Sequence, residues 1–323
     1  MSTLETTTEI TRRPFSGRRV RFGDLILQLV AGGAALGVVA IVGLIAYKLI
    51  EGARLSISTF GFGFLVHQNT WDIVQGHFAA ANFIYGTAVT GLGALVIATP
   101  LALGIAIYLS ELAPGWVRGP VTALIETLAA IPSVIVGFWG LYVLAPFLLS
   151  EVDPALHSVL GFIPLFGTAT QPANVFTGIV VLTIMILPII ASISRELFAG
   201  VPPELKEGAL GLGTTRWEVV RGVVLPYSRS GIAAAMILGL GRAIGEAIAL
   251  LLVMGGGTRI NANLFESGNT LAARIAAEFV GAQTALELAS IFYLAVILLV
   301  FSLAVNLLAQ TIIRRSARRL GGA

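Results

Sequence analysis

Two opposite charges stand inside a strongly apolar stretch, "GLGRAIGEAIALLLVMGG" over residues 239–256: Arg242 and Glu246. A guanidinium offers a planar fork of donors that matches the oxygens of an oxyanion. A carboxylate four residues on can hold that guanidinium when no anion is present. Neither group is cheap in hydrocarbon, where an Arg at a helix centre costs about 2.5–3.5 kcal/mol on insertion scales. With a span starting near Ser230 and rising 1.5 Å per residue, Arg242 lies roughly 18 Å in and Glu246 roughly 24 Å in. On a continuous helix this spacing sets both on one face, which must look into protein or water. As an internal lock the pair is in the poorer order, since an acid preceding a base is the better arrangement. A pair pinning helices together is one reading. A translocation pathway or gate, in which Arg242 meets a passing anion and Glu246 holds Arg242 between passages, explains the residues better.

The elements that carry this pair are apolar helices. The 323 residues are 56% hydrophobic and 11% charged, with a mean hydropathy of +0.92; an ordinary soluble domain is about 25% charged. Six apolar runs, at about 25–49, 83–109, 121–149, 174–193, 230–255 and 287–312, are each long enough to cross a bilayer. Backbone groups cannot go unpaired in lipid, so the runs should be helices. No alternation typical of barrel strands recurs. The expected fold is an all-α membrane protein with six transmembrane helices. A basic tail over 1–24 precedes the membrane domain at 25–312, and a second basic tail follows at 313–323. The first run exceeds the core of a cleavable signal and reads as a retained anchor.

Basic residues set the orientation. With the amino end in the cytoplasm, 15 Lys and Arg fall inside and three outside, which places both termini in the cytoplasm. The terminal clusters "RRPFSGRRVR" and "RRSARR" therefore read as topology signals flanking the lipid bilayer, with no nucleic acid as partner. There is no cysteine, and His67, His77 and His157 form no close pair, so neither a metal site nor a cofactor is expected. Asp occurs only at 24, 72 and 153, near or outside the ends of the runs, which disfavours a membrane enzyme with convergent acids and bases. An ion-coupled carrier acting alone should show internal repeats, and none is evident.

Proline and glycine interrupt the runs: Pro132 and Gly137 fall inside the third and Pro188 inside the fourth. Such breaks either line a cavity or adjust packing. Glu126, near the cytoplasmic end of the third run, reads as a snorkelling or interface residue. In the last outer loop, Asn269 or Thr270 can cap a short helix with Leu271, Ile275 and Phe279 on one face, suited to packing back between the spans.

The connection between the fourth and fifth runs, "VPPELKEGALGLGTTRWEVVRGVVLPYSRSG", is polar yet patterned. Pro203 suits a first helical position, and Glu204 and Glu207 complement the helix dipole. Gly211 and Gly213 break that helix, and Thr215 with Glu218 forms a capping box for the next. Pro226 is expected to end the second helix before the fifth span. The result is a cytoplasmic helix–turn–helix whose Leu210, Leu212 and Trp217 either dock on a partner or pack beneath the chain's own spans.

This segment resembles the EAA motif of ATP-binding-cassette importer permeases. Glu207, Gly208 and Ala209 are followed after three residues by Gly213, and after nine more by "VVLP" ending in Leu225 and Pro226. Gly208 for Ala and Val223 for Ile are the departures; the first lowers helix propensity by about 1 kcal/mol. "FIYGTAVTGLGALVIATPLALGIAIYLSELAP", "ETLAAIPSVIVGFWGLYVLAPFL" and "ILGLGRAIGEAIAL" extend the similarity over roughly residues 20–315, to the phosphate importer permeases of the PstC type. The resemblance implies a plasma-membrane permease subunit importing inorganic phosphate. It also implies that the loop at 202–226 couples to a cytoplasmic ATPase dimer, with a second permease chain and an extracytoplasmic phosphate-binding protein as further partners. The sister permease, or a permease for sulfate or molybdate, is the alternative within the class. The chain itself has no P-loop, because neither Lys48 nor Lys206 follows a glycine.

Overall fold

The computed structural model describes residues 22–66 and 71–320. The basic residues of the amino tail and His67 lie outside the described residues, as do the side chains beyond residue 311. The helices in chain order are α1 (Phe22–Phe60), α2 (Gly63–Val66), α3 (Ala81–Ile107), α4 (Gly115–Ala130), α5 (Ser133–Trp139), α6 (Ala145–Phe147) and α7 (Asp153–Leu160). They continue as α8 (Val175–Ala199), α9 (Pro203–Gly211), α10 (Arg216–Val219), α11 (Leu225–Gly245), α12 (Ile248–Val253), α13 (Leu271–Glu278) and α14 (Ala285–Leu320). A two-stranded antiparallel ribbon, β1 (Trp71–Asp72) and β2 (His77–Phe78), joins α2 to α3.

Among the described residues, six helices are long and apolar enough to span a membrane: Leu25–Phe60, Ala81–Leu112, Ser133–Leu160, Val175–Ala199, Arg216–Gly245 and Ala285–Thr311. Their number and order follow the six apolar runs. The chain divides into two compact units that part between Lys48 and Leu49. The first holds the early part of α1, whose apolar side chains, Leu27, Leu36 and Val39 among them, are exposed, as suits a lipid-facing helix. The second unit holds everything after.

Within the second unit α8 is the axis. Its Ile179, Leu182, Ile186 and Ile190 are buried against Ala94, Ala98 and Ala102 of α3 and against Ala235 and Ala243 of α11. Large side chains on the central helix meet small ones on its neighbours, which lets the backbones approach closely.

Three span boundaries differ from expectation, and proline explains each. The third span does not begin at residue 121. Ile131 and Pro132 are extended, and they separate α4 from the span that begins at Ser133. A residue before proline is pushed out of the α region, so Pro132 is a break at the entrance of the span and not a kink inside it. Glu126 therefore belongs to α4, where it pairs with Arg195 of α8 at 3.8 Å, an interface contact exposed enough to contribute little. The far end of this span runs on to Leu160 and buries Asp153 completely, placing that acid inside the span. The fifth span begins at Arg216, because Pro226 does not end a helix. Instead a π-helical turn, Val220–Val224, runs directly into α11, with Pro226 in its first turn. The same arrangement recurs at Gly140–Leu144 before Pro146 and at Leu148–Val152 before Pro154. A wider turn absorbs the missing N–H and the ring clash that proline imposes on a regular helix.

At the opposite end from α9 and α10, Thr270 caps α13, accepting from Ala273 N at 3.2 Å. Leu271 of α13 is buried and its N–H donates to Thr87 Oγ1 at 2.9 Å, tying α13 to α3. Ile275 is half-buried, whereas Phe279 lies beyond the helix, half exposed and edge-on to Phe292. Arg274 pairs with Glu278 at 3.0 Å and lies over the rings of Trp71 and Phe83. Burial holds its guanidinium below the ordinary value, and the carboxylates of Glu278 and Glu287 oppose that shift.

Candidate functional site

Arg242 lies in the last turn of α11, and Glu246 lies just past the helix end, with extended dihedrals of φ −72° and ψ 120°. The pair therefore does not share the face of one continuous helix. The helix breaks at Glu246 and Ala247 and the chain restarts as α12. Two glycines close by, Gly241 and Gly245, weaken the helix here. The Glu246 carboxylate then supplies the restart: Oε1 accepts from Ala249 N at 3.4 Å, within the first turn of α12. Each charge thus sits at the helix end that favours it, the cation at a C-terminus and the anion at an N-terminus. The expected contact in which Glu246 holds Arg242 is not formed; among the described residues Arg242 makes neither an ion pair nor a hydrogen bond. Glu246 is buried, while Arg242 is exposed.

Both residues nevertheless line one cavity of about 950 Å³. Its walls come from α8 (Ile189), α11 (Ile237, Leu238) and α14 (Asn306, Gln310). A Cβ added at Gly241, one residue from Arg242, would lie 4.0 Å from Asn306 Oδ1, which places that amide beside α11. The cavity so combines one free guanidinium, one carboxylate and two carboxamides on otherwise apolar walls. Donors of this kind can take over part of an oxyanion's hydration. Asn306 and Gln310 were not among the residues read from sequence. Their signal was present: two amides four residues apart in an otherwise apolar run.

The loop before α11 forms two helices at the end of the spans. Glu207, Gly208 and Ala209 lie in α9, with Glu207 and Gly208 exposed and Ala209 half-buried. Gly213 takes φ +85°, a left-handed conformation that a side chain would strain, and it reverses the chain. Thr215 and Glu218 complete a capping box, with Thr215 N donating to Glu218 Oε2 at 2.7 Å and Glu218 N to Thr215 Oγ1 at 3.3 Å. Leu225 and Pro226 open α11. Leu212 is 87% exposed and Trp217 63%, so neither packs beneath the chain's own spans. An apolar surface of this kind calls for a covering partner.

Six helices long and apolar enough to span a membrane, three of them walling a cavity that holds Arg242 and Glu246, are the features of a multi-pass membrane permease. The chain belongs to the family described as "Binding-protein-dependent transport system inner membrane component", whose model matches residues 98–320. It is 41% identical to the phosphate transport system permease protein PstC of Mesorhizobium japonicum, over 94% of each chain. It is 40% identical to the PstC of Xylella fastidiosa, over 85% of this chain and 86% of that one. The PstC of Pasteurella multocida is 41% identical over 92% and 94%. Among solved structures, a chain of a bacterial alginate ABC transporter, determined in complex with an alginate pentasaccharide-bound periplasmic protein, matches with a TM-score of 0.60 and 18% identity. That match covers 91% of this chain and 96% of the other. It bears on the fold alone.

Proposed function

We propose that this chain is a permease subunit of an ATP-binding-cassette importer that carries inorganic phosphate into the cytoplasm. The observation that carries the reading is the unpaired Arg242 guanidinium in the cavity between α8, α11 and α14. Relatives named as phosphate transport permeases, about 40% identical over most of their length, support phosphate as the substrate. Arg242 gives the passing anion a charge-assisted contact, and Asn306 and Gln310 add neutral donors. Glu246 fixes the helix break and keeps the site from becoming an anion trap by lowering its net positive charge.

Exposed Arg242 within the fifth span cannot face lipid at acceptable cost. The second wall is therefore a second permease chain, and the path runs between the two. ATP hydrolysis belongs to a separate cytoplasmic ATPase dimer, which α9 and the exposed Leu212 and Trp217 engage. An extracytoplasmic binding protein delivers phosphate at the end that carries α13, and both termini of this chain are cytoplasmic. Closure of the ATPases reaches Arg242 through the unbroken backbone of α10, the π turn and α11.

The test is phosphate uptake by the assembled transporter in lipid vesicles. Arg242→Gln is expected to lower uptake by about 10-fold or more, on the scale of one lost charge-assisted contact. Wild-type uptake in a normally assembled R242Q complex would refute the pathway role. Substitution of Glu207 and Gly213 is expected to abolish ATPase binding; normal binding would remove the docking role of α9.

A further inference from the structure

One lysine of α9 reaches into the spans. Lys206 Nζ donates to Glu111 Oε1 at 2.6 Å and to the carbonyl of Phe198 at 3.0 Å. Glu111 belongs to the π-helical turn Tyr108–Leu112 that ends the second span, and Phe198 lies in the last turn of α8. The ammonium so satisfies one of the final carbonyls of α8, where the helix dipole favours a cation. Lys206 and Glu111 are 20% and 16% exposed, so water screens them only partly. Among the described residues no other α9 side chain forms a hydrogen bond or ion pair with another element.

The backbone of α9 continues through the turn at Gly213 into α10 and the fifth span. Among the described residues its side-chain hydrogen bonds and ion pair to the second and fourth spans run through Lys206, while Ala209 packs against the apolar cluster that holds Ala106 and Phe198. The fourth and fifth spans, α8 and α11, are also the helices whose facing residues Ile189 and Arg242 wall the charged cavity. A displacement of α9 therefore has a covalent outlet to α11 and, beside the non-directional apolar contact of Ala209, an ionic outlet to α8 and the end of α3.

We propose that Lys206 and Glu111 are positioning residues for transport, forming the ionic arm that carries movement of α9 into the second and fourth spans. With the arm intact, α8 and α11 move in a fixed relation, and the cavity between them changes shape once per ATPase cycle. Without it, α11 follows α9 while α8 stays behind, and hydrolysis proceeds without productive opening. The proposal rests on the reading that α9 docks on the ATPase. Arg216 shares with Lys206 and Glu111 a cavity of about 270 Å³. It can therefore take over the carboxylate when Lys206 is lost, so removing Glu111 should be the more severe change.

The experiment measures ATP hydrolysed per phosphate imported in vesicles holding the whole transporter, its binding protein and inorganic phosphate. Glu111→Gln is expected to raise that ratio about fivefold or more, the lower range of typical coupling energies. Lys206→Met should raise it less. Lys206→Arg, which keeps the cation and its donors, should hold it near wild type. An unchanged ratio in E111Q would overturn the proposal. So would loss of assembly in both E111Q and K206M, which would assign the pair to folding. Failure of the docking reading would show separately, as normal ATPase binding when Glu207 and Gly213 are replaced.

Discussion

Arg242 and Glu246 are stabilised by the interruption of the helix that holds them. Arg242 stands in the last turn of α11, at the negative end of its dipole, and at the start of α12 the Glu246 carboxylate accepts from Ala249 N, each effect worth about 0.3–1 kcal/mol. Glu246 thus has two separable duties. Glu246→Gln keeps an oxygen for Ala249 N and removes the charge, so it should change uptake with little loss of thermal stability. Glu246→Ala also removes the acceptor and should destabilise by a further ~1 kcal/mol, read as a lower melting temperature of the purified complex. A similar division applies at Thr215, whose hydroxyl accepts from Glu218 N. Thr215→Ala should cost about 1 kcal/mol, seen as roughly fivefold faster amide exchange over α10, while Thr215→Ser should not.

At the scale of elements, broken helices are packed on one another. The short segments α5 and α12 meet at Gly137, where an added Cβ would lie 2.9 Å from Ala249 Cα and 2.9 Å from Leu252 Cδ1. Backbone cannot yield as a flexible side chain can. Gly137→Ala should therefore cost about 1–3 kcal/mol through overpacking, measured by thermal unfolding in detergent. Gly104→Ala is the control: it meets nothing within 4 Å and lies within α3, so the change should be neutral or slightly stabilising. The number and order of the spans were legible in the apolar runs, because hydrocarbon demands long apolar segments. The breaks were legible only as prolines. Whether a proline ends a helix, as Pro132 does for α4, or is absorbed behind a π turn, as Pro226 is, depends on the packing around it.

For the whole molecule, the proposed path requires a second permease chain to close the charged cavity. The absence of cysteine from this chain makes that testable without background from the chain itself, since any introduced thiol is its sole one. In the assembled transporter, Gln310→Cys should cross-link to the second permease chain through a short bifunctional reagent. Labelling of the same thiol by a lipid-dissolved maleimide, with no cross-link, would place this face against lipid and contradict the two-chain path. The same preparation, with thiols placed in the amino tail, reports orientation by accessibility from one side only.

Composition and hydropathy alone determined a six-span membrane protein, because the cost of unpaired backbone and of charge in lipid leaves few other uses for such a sequence. Spacing alone determined α9 and the capped start of α10, since capping and glycine breaks are local chemistry, but not that α10 runs on into the fifth span. Only the tertiary structure decided that Arg242 and Glu246 stand on two helix ends, that Asn306 and Gln310 join them, and that Lys206 reaches Glu111. Those relations bring together residues 60 to 95 positions apart, with distances set by the packing of α3, α8, α11 and α14, which no local pattern encodes.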